Sequence, residues 1–149
     1  MKKSEIAVEN FLSGYNCSQA VVAAMCEEFG MSKSDCLRIS EGFGGGMGRM
    51  RSVCGAVSGM FMLAGLKNSN AEPKDLETRK LVYQLVQDMA KEFEDRLGSI
   101  ICAELLGGAM PKDKGAAPTP RDGEFFKKRP CSECVRIAAE IAEEYLLGE

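Results

Sequence analysis

Residues 16–30 read NCSQAVVAAMCEEFG, and this stretch decides the class of fold. Asn16 is placed as a helix N-cap, and Gln19 three residues later completes a capping box. Gly30 supplies the stop. The spacing predicts a helix from Cys17 to about Phe29, with Val22, Cys26 and Phe29 on one stripe. The same punctuation recurs on both sides. Residues 4–12 carry Ile6, Ala7, Phe11 and Leu12 on one side and end at Gly14. Ser32 or Ser34 caps a short helix over 35–40. Ser52 precedes a small-residue helix from Val53 to about Leu66, followed by a polar loop over 67–72.

Pro73 suits the first turn of the longest helix, about 73–97. Its stripe Val82, Val86, Met89, Phe93 and Leu97 follows a 3.6-residue period and is expected to face the core. Gly98 ends it, and Ser99 caps a short helix carrying Cys102, Leu105 and Leu106. Residues 107–124 hold four glycines and three prolines and read as a long surface loop. Pro130 opens the last helix, which runs through about Leu147. No segment alternates as a strand does. The expected fold is a single all-α domain over residues 1–149. It is a bundle of five to seven helices, with a Gly-rich loop at 42–48 and a long Pro/Gly loop before the last helix.

Four of the seven cysteines fall where these helices begin: Cys17, Cys54, Cys102 and Cys131. The first turn of a helix presents unpaired N–H groups and a partial positive charge. That field favours thiolate over thiol and draws a cysteine pKa from ~8.5 toward roughly 3.5–7.5. Four such placements in 149 residues point to reactive thiols or to a soft ligand.

Composition narrows the chemistry. The chain contains no histidine, so Cys-His nucleophile pairs, His-containing zinc sites and a CxxCH haem attachment are excluded. A net charge of −3, with only the short run KKR at 127–129, gives no footprint for nucleic acid. Met1-Lys2-Lys3 runs straight into Ser4 and Glu5, with no secretory apolar region. The longest apolar stretch, near Met60–Leu66, is far below the ~20 residues of a membrane span, so no membrane insertion is expected. These features point to the cytoplasm. There, cysteines serve metal, cluster or thiol chemistry rather than a disulfide framework.

Cys17 in GYNCSQAV, the glycine run before Cys54-Gly55-Ala56-Val57-Ser58-Gly59, Cys102 in CAELL, and Cys131 before Val135 in VRIAAEI together carry a resemblance. The chain resembles the redox-active protein family with the C…CGAxxG…C…C signature, also written C_GCAxxG_C_C. The resemblance covers nearly the whole chain. It implies that Cys17, Cys54, Cys102 and Cys131 are the family cysteines. Cys131 takes precedence over Cys134 because the family cysteine lies four residues before the valine of the closing helix. The resemblance assigns no substrate and no role to Cys26, Cys36 or Cys134.

Each candidate site has a plainer alternative. Gly55, Ala56 and Gly59 leave room beside Cys54 for a cofactor, or equally for close helix packing. Gly42–Gly48 followed by Arg49 and Arg51 suggests an anion nest whose arginines favour the Cys54 thiolate, or simply a connector. Cys131 and Cys134 share a helical face, as a dithiol or with Cys134 in a core stripe of Ala138, Ile141 and Tyr145. Cys26 reads as an inert core residue, and Cys36 as incidental in a polar helix. The nine methionines read as gap-fillers, and the acids of 88–95 and 140–144 as solvated faces.

The expectation is a redox protein whose thiols Cys17, Cys54, Cys102 and Cys131 meet in one pocket. They would cycle between dithiol and disulfide, or ligate an iron–sulfur cluster or another thiolate-bound metal. The alternatives are a binding module with an all-cysteine structural zinc site, or a helical domain with free cysteines. The redox partner stays unspecified, and a homodimer is compatible with the sequence.

Overall fold

The structure, a computed structural model, describes every residue except Lys114 and Glu149, and every side chain except those two and Glu124, Lys127 and Lys128. The lysines of the KKR run therefore lie outside the described side chains. The chain is all-α. Six helices of eight residues or more are described: α1 Lys3–Leu12, α2 Cys17–Met25, α3 Lys33–Ser40, α5 Gly55–Asn68, α6 Leu76–Leu97 and α9 Cys131–Leu147. Three shorter ones intervene: α4 Gly44–Met47, α7 Cys102–Leu106 and α8 Gly123–Lys128.

Helices α1, α2, α5 and α9 pack on one another, and α6 lies across α5 and α9. The core they enclose is built on Phe11, Met25, Met60, Leu63, Phe93 and Ile141, all essentially without solvent exposure. Eight buried alanines of α2, α5 and α9 let these helices approach closely, so that burial of the larger side chains is nearly complete. No helix among the described residues is long and apolar enough to cross a membrane.

The capping box forms as spaced. Asn16 Oδ1 accepts from the Gln19 N–H at 3.0 Å, and Gln19 Oε1 accepts from the Asn16 N–H at 3.1 Å. Several boundaries differ from the expected ones. The predicted helix over 17–29 tightens after Met25 into a 3₁₀ turn, Cys26–Phe29, before Gly30 in the left-handed region. Helix α6 begins at Leu76, not Pro73, because the Asp75 carboxylate caps it by accepting from the Thr78 N–H at 3.0 Å. Along its stripe only Met89 and Phe93 are fully buried; Val82, Val86 and Leu97 are half-covered. Ser99 does not cap α7. Its hydroxyl accepts from the Ile101 N–H and donates to Glu104. Helix α8, capped by Asp122, falls at the end of the segment expected as loop. The acids of 88–95 and 140–144 do more than face solvent: Arg96 joins Glu92 of α6 to Glu140 of α9.

The largest correction concerns the start of α5. The helix begins at Gly55, because residues 52–54 are drawn into extended pairing with 100–102. Val53 and Ile101 form an antiparallel bridge. The Cys54 N–H donates to Ile100 O at 2.8 Å, and the Cys102 N–H donates to Ser52 O at 2.6 Å. These bonds hold Cys54 and Cys102 side by side across 48 residues of chain.

Candidate functional site

Four cysteines stand at helix N-termini: Cys17, Cys102 and Cys131 are the first residues of α2, α7 and α9, and Cys54 is the N-cap of α5. All four, with Cys134, line one cavity of about 330 Å³. Cys17 and Cys131 are half-buried at this cavity, while Cys54, Cys102 and Cys134 are buried behind it.

The glycine run shapes the rim. Gly46 has φ +69°, and a Cβ there would fall 2.6 Å from Cys102 Cβ and 2.8 Å from Arg51 Cα. Met47, Arg49 and Arg51 also adopt positive φ, an uncommon and costly conformation for residues with a Cβ. The amides of Gly48, Arg49, Arg51 and Ser52 donate to carbonyls of Gly44, Gly45 and Gly46 in the same loop. Those four N–H groups are therefore used inside the loop. What the loop does deliver is Arg51, whose Nη1 lies 3.7 Å from Cys102 Sγ. Arg51 thus serves Cys102 directly, where the sequence suggested Cys54.

The thiols fall into pairs that cross between helices. Cys17 of α2 and Cys131 of α9 lie close enough to shift each other's ionisation, and so do Cys54 of α5 and Cys134 of α9. The CxxC of α9 is therefore not itself the contacting pair; its two members each face a different helix. Within each pair the proton is divided unequally. The interaction with Cys17, with Arg129, Arg121 and Arg51 nearby, lowers Cys131 to about 7 against the cost of burial. Cys17 is pushed well up by the same interaction and by burial. Cys54 is lowered by the interaction with Cys134 and by the backbone amides of Val57 and Ala56, and Cys134 is pushed up. No cap hydrogen bond of ordinary geometry reaches the Cys54 side chain, so those amides act as a field at longer range. Cys102 is raised by burial, which outweighs Arg51.

Gly55 lines the cavity, and its Cα packs so closely that an added Cβ would lie 3.3 Å from Cys17 Cβ and 3.0 Å from Phe43 O. Ala56 is fully buried. Gly59 faces α2, where an added Cβ would meet Ser18 O at 3.1 Å. These two positions serve the close packing of α5 on α2. Among the described residues, no group of three or more cysteine, aspartate or glutamate side chains is disposed to hold a metal ion.

Several members of the site were not marked by the sequence reading. Cys134 was visible only through its CxxC spacing. Arg121 and Arg129 line the cavity beside Cys131, and their signal was weak: one lies in a loop and the other two residues before a cysteine. Cys36, read as incidental, is fully buried and contacts the thiol of Cys26, away from the cavity.

The family model described as "Putative redox-active protein (C_GCAxxG_C_C)" matches residues 15–145. No curated protein and no solved structure matches the chain. Where the family label reads GCAxxG, this chain has Cys54-Gly55-Ala56-Val57-Ser58-Gly59, with cysteine ahead of glycine. The match spans most of the chain and takes in every cysteine of the cavity, so the chain belongs to the C_GCAxxG_C_C family, which its description calls redox-active.

Proposed function

We propose that the cavity is a dithiol/disulfide centre in which Cys131 is the attacking thiolate and Cys17 its partner. The observation that carries this reading is that these two half-buried thiols line one cavity and shift each other's ionisation, with Cys131 lowered to about 7. At neutral pH about half of such a group is thiolate, whereas its partner keeps its proton. In the reducing direction the Cys131 thiolate attacks one sulfur of a substrate disulfide. A Cys131–substrate bond forms, the substrate S–S bond breaks, and one thiolate leaves. Cys17 then attacks the Cys131 sulfur. Its proton passes to the leaving sulfur, the mixed disulfide breaks, and a Cys17–Cys131 disulfide remains. Two electrons have moved from protein to substrate, and a dithiol donor restores the reduced state.

Cys54 and Cys134 form a second, more buried pair one helical turn along α9. An exchange between Cys134 and Cys131 would let that pair hold the oxidising equivalents. A cytoplasmic setting suits this chemistry, since reducing conditions maintain dithiols. A single zinc ion held by Cys17, Cys54, Cys102 and Cys131 fits the arrangement less well, because the thiols are disposed as pairs rather than around one point.

The test is stoichiometric oxidation of the reduced protein, followed by peptide mapping. Loss of two thiols per chain with a Cys17–Cys131 linkage is expected. Cys17→Ser is expected to stall at the mixed disulfide with substrate. A linkage that excludes both residues overturns the proposal. So does stoichiometric iron and sulfide in anaerobically isolated protein that disappears in Cys131→Ser.

A further inference from the structure

The cavity gathers positive charge as well as sulfur. Arg49, Arg51, Arg121 and Arg129 line it, and Glu41, which is exposed, is the only acid among the described lining residues. Arg49 is committed elsewhere. It pairs with Asp113 at 3.0 Å and donates to the carbonyls of Gly115 and Ala117, fastening the segment that covers one side of the cavity.

The other three are held by neutral groups among the described residues. Arg51 faces Cys102 Sγ. Arg121 lies 4.5 Å over the Phe11 ring and 4.8 Å over Phe125, and donates to Phe11 O at 3.0 Å. Arg129 lies 4.4 Å over Phe125 and donates to Thr119 Oγ1 at 3.3 Å. Rings, a carbonyl and a hydroxyl orient guanidinium groups without neutralising them. Each planar fork retains N–H donors, and the fork geometry matches a carboxylate. The cavity volume lies at the lower end of the ~300–1,000 Å³ range of small-molecule sites. Its apolar walls, Phe11, Phe125, Leu105 and Pro130, would cover the uncharged part of a ligand.

We propose that the cavity binds a small anionic disulfide, with Arg51 and Arg129 holding its carboxylate beside Cys131. The substrate class is then a low-molecular-weight disulfide acid rather than a protein disulfide. This rests on the reading of Cys131 and Cys17 as the redox couple. The carboxylate docks on the arginines, its disulfide is presented to Cys131, and the two exchange steps given above release two molecules of the thiol acid.

The experiment uses the reduced full chain and two aromatic disulfide probes. One is the dianionic dithiobis(nitrobenzoate) and the other the neutral dithiodipyridine. The quantity read is the ratio of their rates, divided by the same ratio for the urea-unfolded chain. That normalisation cancels the intrinsic reactivities of the probes. Any change in Cys131 ionisation acts on both probes and cancels as well. The folded protein is expected to favour the anionic probe by about tenfold, since ionic hydrogen bonds of this kind stabilise by an amount on that scale. Salt raised to about 0.5 M is expected to erode the preference. Arg129→Gln and Arg51→Gln are each expected to lower the ratio by about threefold or more, and Arg129→Lys to restore part of it. A normalised ratio of one, or a ratio indifferent to both glutamine variants, overturns the proposal. Faster reduction of insulin disulfides than of the dianionic probe overturns it in favour of a protein substrate. Failure of the couple shows differently: the preference persists, but only one arylthiolate leaves per chain and the mixed disulfide remains.

Discussion

Cys131 and Cys36 each interact with another cysteine, Cys17 in one case and Cys26 in the other, yet they end at opposite extremes. Cys131 is lowered to about 7 by its interaction with Cys17 first, and then by the positive charge of Arg129, Arg121 and Arg51. Cys36 lies within α3, fully enclosed. Burial, the interaction with Cys26 and the negative charges of Asp35 and Glu27 push it up to about 12. At neutral pH the first thiol is substantially ionised, and the second keeps its proton. A sulfur neighbour alone therefore does not make a cysteine reactive: Cys17 lowers Cys131, whereas Cys26 raises Cys36. The surrounding charge differs in sign between the two pairs, and access differs with it: Cys131 is half-buried at a cavity, whereas Cys26 and Cys36 have no exposed surface.

The sharpest way to break this contrast is to remove one member at a time. Cys131→Ser is expected to slow alkylation of the native protein by iodoacetamide at pH 7 by about 100-fold or more, because no other accessible thiol is comparably ionised. Cys36→Ser is expected to leave the rate within about twofold. Comparable loss in both variants would erase the distinction between the two pairs.

Next in size is the backbone that shapes the cavity. Gly46→Ala places a Cβ against Cys102 and Arg51 at a positive φ. A loss of about 2–3 kcal/mol is expected in urea unfolding, from strain and overlap together. Unchanged stability would show that the loop yields easily and does not fix Arg51 and Cys102.

The smallest expected effect isolates one charge. Arg129→Gln is expected to raise the midpoint of Cys131 alkylation by about half a unit to one unit, since an opposite charge that favoured the thiolate is gone. The rate at pH 6 then falls by roughly threefold to tenfold. No movement of the midpoint would leave the Cys17 interaction, Arg121 and Arg51 as the causes.

Much of the scaffold was legible because it rests on local rules. Asn16 and Gln19 cap as spaced, Gly30 and Gly98 end their helices in the left-handed region, and Met89 and Phe93 face inward. The four cysteines at helix starts were legible for the same reason. Their pairing was not. Whether Cys131 meets Cys134, Cys17 or Cys54 depends on how α2, α5 and α9 cross, and no spacing within one helix encodes that. The short pairing of 52–54 with 100–102 was hidden because one bridge across 48 residues leaves no strand-like alternation. The burial of Cys36 was hidden because α3 is polar overall, while this one position turns toward Cys26. Arg121 and Arg129 carried no pattern at all, since their role comes from stacking on Phe11 and Phe125.

The most direct measurement is site-resolved alkylation of the reduced native protein across pH, read by mass spectrometry of each cysteine peptide. Lowering of an acid's pKa means that its thiolate appears earlier as pH rises. Cys131 is therefore expected to label first, its rate climbing with pH to a midpoint near 7 and levelling above it. Cys26 and Cys36 are expected to stay unmodified until the fold opens. A Cys131 midpoint at the ordinary thiol value of about 8.5, or labelling of Cys36 as fast as Cys131, would contradict the account.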